Sequence, residues 1–313
     1  MILVFDIGGT NTRAGLFDRA RGALLRTTCA PTPNHLDLPA ASFNELRERL
    51  VSLMVKLAAE LKPEPLPRQI NVAFAGPIDP AGEVLAAPTL WGTRLERPYP
   101  LARDLASAWP GARIALLNDV TAAGYRYQRS SNEELCVVTV SSGIGNKVFL
   151  GGRPMLGRSG AGGELGHLKV DDSPAAPLCE CGGRGHLGAL ASGRGALEHA
   201  RQRSNDAALT SGDLVAAFRR GEPWALESIA CGARHLGRAL ASLHLGLGLE
   251  RFILIGGFAL ALGEAYRQLV AEAAQASCWR GVSWQGRVEL GVDDDLSGLI
   301  GAGLAAEPQE QSL

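Results

Sequence analysis

Four side chains that bind metals crowd one stretch, ELGHLKVDDSPAAPLCECGGRGHLGALASG at positions 164–193: His167, Cys179, Cys181 and His186, with the carboxylate of Glu164 beside them. In a reducing compartment the close pair Cys179/Cys181 suits a metal better than a disulfide. The cysteines at 29, 136, 231 and 278 stand alone and read as core fillers. Other residues invite phosphate chemistry. Gly8-Gly9-Thr10, Ser142-Gly143-Ile144-Gly145 and Gly256-Gly257 each follow an apolar run, with Asp6 just ahead of the first. Backbone N–H groups of a glycine turn can approach phosphate oxygens closely because no Cβ intervenes, and Thr10 adds a hydroxyl donor. One such turn serves equally well as a plain hairpin. Three of them at strand ends favour a nucleotide held between two lobes. Asn118-Asp119 closes a further apolar run, where the pair acts either as a helix cap or as site chemistry.

These residues need elements to position them. MILVFDIGGTNTRAGLFD reads as a strand, a glycine turn and a second strand, a hairpin signal. Residues 43–62 place Leu46, Leu50, Leu53, Met54, Leu57 and Leu61 at helical spacing, so this segment is an amphipathic helix. INVAFAGPID and RIALLND are buried strands ending at polar or turn residues. Strand–helix–strand alternation predicts a largely parallel α/β sheet, whose ligands collect at the carboxyl ends of its strands. LCVVTV followed by SSGIGNKVFLGG repeats the opening hairpin weakly, which suggests two related domains. A helical stretch at 224–245 leads to strand RFILIGG, and LSGLIGAGLAAE reads as a terminal helix. Loop 171–178 and the polar segment 202–212 are expected to be mobile surface.

With 313 residues the chain can bury a sizeable core and is expected to form about two domains. A net charge of −1 leaves no basic footprint for a nucleic acid or an anionic membrane. The N-terminal apolar run stops at Asp6 without a basic flank, and no apolar segment is long enough to span a bilayer. A cytoplasmic protein with a small-molecule partner is expected.

DIGGTNTRAGLFD, AFAGPID, LLNDV, SSGIG, GELGH, CxCGxxG followed by ASG, and ILIGGF occur here in the order of the ROK family (repressors, open reading frames and sugar kinases), which the chain resembles over nearly its whole length. The resemblance implies an α/β fold of two lobes, the actin-like ATPase (ribonuclease H-like) arrangement with a nucleotide and sugar cleft between them. Residues 1–119 would be the N-terminal lobe and 120–313 the C-terminal lobe, with the last helix, about 296–308, packing back on the first. It implies a kinase that uses ATP and Mg²⁺ to phosphorylate the exocyclic primary hydroxyl of a hexose or hexose-like ring, and a homodimer. By matching position Asp119 is the general base, with Gly76, Asn118, Glu164 and His167 at the substrate. Asp6 organises Mg²⁺; Gly8, Gly9, Thr10 and Asn11 hold one side of the phosphates, Ser142 and Gly143 the other, and Gly256 and Gly257 lie near the adenosine. His167, Cys179, Cys181 and His186 bind a structural Zn²⁺, His186 standing where the family has a third cysteine. Four protein ligands make such a site closed and structural rather than catalytic.

Two departures bear on substrate. Gly188 stands where sugar kinases of the family carry a glutamate that contacts ring hydroxyls, a loss of about 1.5–3 kcal/mol for a charged hydrogen bond. That favours a ring with altered chemistry at this end, so a C7-cyclitol 7-kinase or an amino-sugar kinase is the alternative to a hexose 6-kinase. Asn146-Lys147 replaces two glycines, with Lys147 expected either at a phosphate or exposed near a turn. A family repressor would need an N-terminal helix-turn-helix, for which the start of the phosphate motif at Asp6 leaves no expected room. A non-catalytic sugar-binding member is a further alternative, against which Asp6, Asp119 and Glu164 argue.

Overall fold

The computed structural model describes residues 1–65, 67–157, 162–279 and 284–305. The chain divides into two compact units, one of Met1–Gln128, Leu156–Gly162 and the segment from Asp294, the other of Arg129–Met155 and Gly163–Asp293.

In the first unit β1 (Ile2–Ile7), β2 (Asn11–Asp18) and β3 (Ala23–Pro31) form an antiparallel meander. The expected amphipathic helix follows as α1 (Phe43–Leu61). It starts at a capping box in which Ser42 and Glu45 satisfy each other's backbone N–H, and it buries Leu46, Leu50, Met54, Leu57 and Leu61. The chain continues through β4 (Gln69–Phe74), short α2 (Pro88–Trp91), α3 (Leu101–Ala108), β5 (Arg113–Asn118) and α4 (Asp119–Tyr127). The sheet order is β3-β2-β1-β4-β5, with β1, β4 and β5 parallel.

The second unit opens with β6 (Leu135–Val140), β7 (Ile144–Leu150) and β8 (Arg153–Pro154), again antiparallel. After a single 3₁₀ turn at Leu165–His167 come α5 (Leu187–Ala191), α6 (Gly193–Ser204), α7 (Ser211–Arg220), α8 (Pro223–Leu247), β9 (Arg251–Ile255), α9 (Gly257–Ser277) and β10 (Arg287–Leu290). This sheet runs β10-β9-β6-β7-β8, with β6, β9 and β10 parallel. Cys136, Val138 and Val148 on one face meet Ile229, Leu236 and Leu240 of α8 in a common core.

The last helix, α10 (Ser297–Leu304), returns to the first unit, where Leu299 and Ala302 pack with Ile2, Val4, Phe17 and Ala122. Positions 306–308 of the expected terminal helix lie outside the described residues.

Both sheets are mixed rather than largely parallel. The turns joining β1 to β2 and β6 to β7 are only three residues long, and so short a link forces antiparallel pairing. Parallel pairs arise only across helical crossovers. The 202–212 segment is also less loose than expected: α6 continues to Ser204, Leu209 is buried, and Thr210 caps α7.

Candidate active site and metal cluster

In the first unit the parallel strands bring the predicted residues to one edge. Ile7, Phe74 and Asn118 are in register across β1, β4 and β5, so Asp6, Gly76, Asn118 and Asp119 gather where those strands end. Asn118 is both a cap and part of the site. Its Oδ1 accepts from Val120 N and Thr121 N, each at 3.1 Å, while its Nδ2 donates to Gly76 O at 3.1 Å and to Asp119 Oδ1 at 2.8 Å. Asp119 Oδ1 also accepts from Val120 N at 2.8 Å, so the carboxylate is oriented by the first turn of α4. Gly76 has no room for another side chain, since a Cβ there would lie 2.2 Å from Ala86 O.

Asp6 is half-buried, and its carboxyl is pushed up to about 7. Desolvation is the largest cause; the charge of Asp119 raises it further, Arg13 opposes and Asp295 adds. A divalent cation bound between these two carboxylates would restore the charged form. The neighbouring turn is firmly built: Thr32 N donates to Thr10 O at 2.9 Å, Thr32 Oγ1 to Gly8 O at 2.8 Å, Asn34 Nδ2 to Gly9 O at 3.3 Å, and Gly8 N to Asn11 O at 3.0 Å.

In the second unit Ser141 N donates to Gly143 O at 2.9 Å, and the turn is held by the start of α6: Gly193 N donates to Ser141 O at 2.7 Å and Arg194 Nε to Ser142 O at 2.8 Å. A cavity of about 540 Å³ opens here, lined among others by Ser142, Arg194, Gly257, Phe258 and Ala261. Gly256 precedes it at φ +94°, with Thr139 Oγ1 and Val140 O each 2.7 Å from where a Cβ would sit, so the β9–α9 turn requires glycine.

Backbone pairing of Leu168–Val170 with Gly185–Leu187 sets His167 beside His186, their rings 5.7 Å apart. The turn Cys179–Gly183 closes through Cys179 N to Gly183 O at 2.7 Å and Gly182 N to Cys179 O at 2.9 Å. His167 Nδ1 lies 3.8 Å from Cys179 Sγ and His186 Nδ1 3.2 Å from Cys181 Sγ. One ligand atom from each of the four residues lies within 4.8 Å of every other. Zn–S bonds of about 2.3 Å and Zn–N bonds of about 2.0–2.1 Å place the donors of a tetrahedral set roughly 3.4–3.8 Å apart, so the donor types fit one metal ion, around which the widest separation would close by about an ångström. Burial pushes the Cys179 thiol up, so a metal binding its thiolate would release a proton.

Glu164 precedes His167 on an exposed loop, and Asn146 Oδ1 accepts from Leu165 N at 3.0 Å, tying that loop to β7. Asn146 and Lys147 are only 5% and 4% exposed, so Lys147 is not the exposed turn lysine. Their side chains point to opposite faces of β7, Asn146 toward Cys136 and Lys147 alongside Gly163. The sequence signalled this loop anchor only as a departure from glycine, and Arg194 carried no signal.

Together the features define two α/β units of one sheet topology, with paired acids at the strand ends of one and glycine turns on both. The ROK family model matches residues 2–308. The chain is 39% identical over 97% of its length to the C(7)-cyclitol 7-kinase of Streptomyces hygroscopicus subsp. limoneus, covering 93% of that protein. Among solved structures it is similar to the ROK hexokinase of Thermus thermophilus, with TM-score 0.78 and 30% identity over 97% of this chain and 96% of that one. A ROK glucokinase from Streptomyces griseus in complex with glucose and AMPPNP matches with TM-score 0.77 and 25% identity over 96% of this chain and 98% of its own. This chain belongs to the ROK family.

Proposed function

We propose that the chain is an ATP-dependent kinase that phosphorylates the exocyclic primary hydroxyl of a C7-cyclitol. The observation that carries it is the Asn118–Asp119 pair at the end of β5, a carboxylate oriented by hydrogen bonds from Asn118 Nδ2 and Val120 N beside Asp6. Such a carboxylate suits a general base, which takes the proton of the attacking hydroxyl, and a positioned base typically contributes ~10²–10⁴ in rate. Asp6 would hold Mg²⁺ through its waters, and the bound ion would neutralise phosphate charge. Gly8, Gly9, Thr10 and Asn11 are assigned to one side of the phosphates, Ser142 and Gly143 to the other, and Gly256 and Gly257 to the adenosine.

Glu164 and His167 are assigned to ring hydroxyls. Zn²⁺ on His167, Cys179, Cys181 and His186 would keep the His167 ring oriented by occupying one of its nitrogens, without activating water. Gly188 supports the cyclitol over the hexose, as does the 39% identity with a cyclitol kinase. No helix among the described residues is long and apolar enough to cross a membrane. An ADP-release assay over a panel of C7-cyclitols, glucose and N-acetylated amino sugars tests the proposal: the cyclitol should give the highest kcat/KM. Glucose turned over as efficiently would return the chain to a hexose 6-kinase, and no ADP release with any acceptor would make it a binding protein.

A further inference from the structure

Arg194 touches two features that the sequence separates by almost forty residues. It is the second residue of α6, and its Nε donates to Ser142 O at 2.8 Å, at the tip of the β6–β7 turn. The same guanidinium pairs through Nη1 with Glu180. Glu180 lies between Cys179 and Cys181, two of the four residues of the metal cluster. Nη2 lies 3.8 Å from where a Cβ on Gly143 would be, and Arg194 lines the cavity together with Ser142. One side chain thus spans the metal-binding turn and the phosphate turn, all within the second unit.

The physical consequence concerns order. An arginine loses much rotamer freedom when fixed, and an exposed ion pair gains little if its partner is itself mobile. A metal on Cys179 and Cys181 immobilises the backbone that carries Glu180. Glu180 then holds Arg194 in the rotamer that reaches Ser142 O, so part of the ordering cost is met before nucleotide arrives. Coupling of this kind is reciprocal between the two ligands.

We propose that Arg194 is a positioning residue that transmits ordering of the metal-binding turn to the Ser142–Gly143 turn, so that nucleotide binds more tightly to the metal-loaded protein. The inference rests on the assignment of Ser142–Gly143 to nucleotide phosphates and of the four-residue cluster to zinc. The test is calorimetric titration of AMPPNP with Mg²⁺ into the full chain, wild type and variants, with zinc content measured on each sample. Arg194→Ala should weaken AMPPNP about five- to tenfold with zinc content unchanged. Glu180→Gln should weaken it two- to threefold, also at full zinc content, and Arg194→Lys should fall between them, since an ammonium cannot span both partners. Stripping zinc should weaken AMPPNP binding in wild type but cause no further loss in Arg194→Ala. Equal effects of zinc removal in wild type and Arg194→Ala would overturn the proposal. So would Glu180→Gln binding AMPPNP like wild type, an outcome that does not depend on the stripped protein staying folded. Wild-type protein without affinity for AMPPNP, or isolated without metal, would instead overturn the functional assignments beneath the link.

Discussion

The two sheets share one topology and differ in what stands at their strand ends. Each has a three-stranded antiparallel meander whose first strand pairs in parallel with a strand that itself pairs with the last, in the order β3-β2-β1-β4-β5 or β8-β7-β6-β9-β10. Counted from the turn after the first strand, Asp6 of β1 corresponds to Thr139 of β6. The end of β5, Asn118-Asp119, corresponds to Leu290-Gly291 at the end of β10. Both sheets therefore offer the same strand-end ledge, but only the first places acids on it. The second carries the cavity, the metal cluster and the loop of Glu164. Topology supplies positions, and the residue at each strand end decides whether a position does chemistry or recognition. The acidic ledge has a cost that the other sheet avoids: Asp6 is held against its ionised form.

The largest test of this division is to blunt the acidic ledge. Asp119→Asn should lower phosphotransfer by at least ~10²-fold while AMPPNP affinity and folding stay near wild type, because only the proton acceptor is lost. Turnover within a few-fold of wild type would mean that the ledge of the first sheet is not where the proton goes.

Next comes substrate choice on the second unit. Gly188→Glu should improve glucose KM by up to about tenfold and worsen the cyclitol KM, since one charged hydrogen bond contributes about 1.5–3 kcal/mol. The ceiling is set low because a Cβ at Gly188 would stand 3.1 Å from Gly166 O, so the loop of Glu164 must give by a few tenths of an ångström. The ratio of the two KM values checks this; an unchanged ratio would release Gly188 from any part in specificity.

The metal cluster should act on stability more than on chemistry. Replacing Cys179 and Cys181 together by serine should remove about one zinc per chain and lower Tm by several degrees, since an ion bound only to the folded state stabilises it. Elemental analysis and a thermal melt on the same preparation decide it.

The cost of the acidic ledge is visible in pH. The folded pKa of Asp6, about 7, lies above that of the unfolded chain, so the native state binds the extra proton between about pH 4 and 7. Its contribution to stability is complete below about pH 4 and is lost as pH rises through 7. In buffer without Mg²⁺, denaturant unfolding should show that loss in wild type and a flatter profile in Asp6→Asn; parallel profiles would refute the account.

The smallest effect should come from Asn146→Gly. Losing the bond from Leu165 N frees the loop of Glu164, so acceptor KM should rise a few-fold while AMPPNP affinity holds. Equal changes in both would show that Asn146 supports the sheet rather than the loop.

Much of this molecule was written in local patterns. The leucines of α1, the glycine turns after β1 and β6, and the Cys-Glu-Cys-Gly-Gly knuckle depend on neighbours within a few residues, which is why spacing and composition revealed them. Asn118 as helix cap is equally local. The pairing of β1 with β4 and of β4 with β5 is not, because these parallel strands join residues more than forty positions apart, and only that pairing brings Asp6 within reach of the charge of Asp119. Lys147 looked like a turn lysine from its neighbours, yet the strand buries it alongside Gly163. Asn146 gained its role by meeting Leu165, and Arg194 by reaching both Ser142 and Glu180. The sequence by itself determined the elements, the glycine turns and the kinds of side chain at each strand end. Tertiary structure alone decided which of those side chains share a site, since burial and long-range contact depend on segments that only the folded chain brings together.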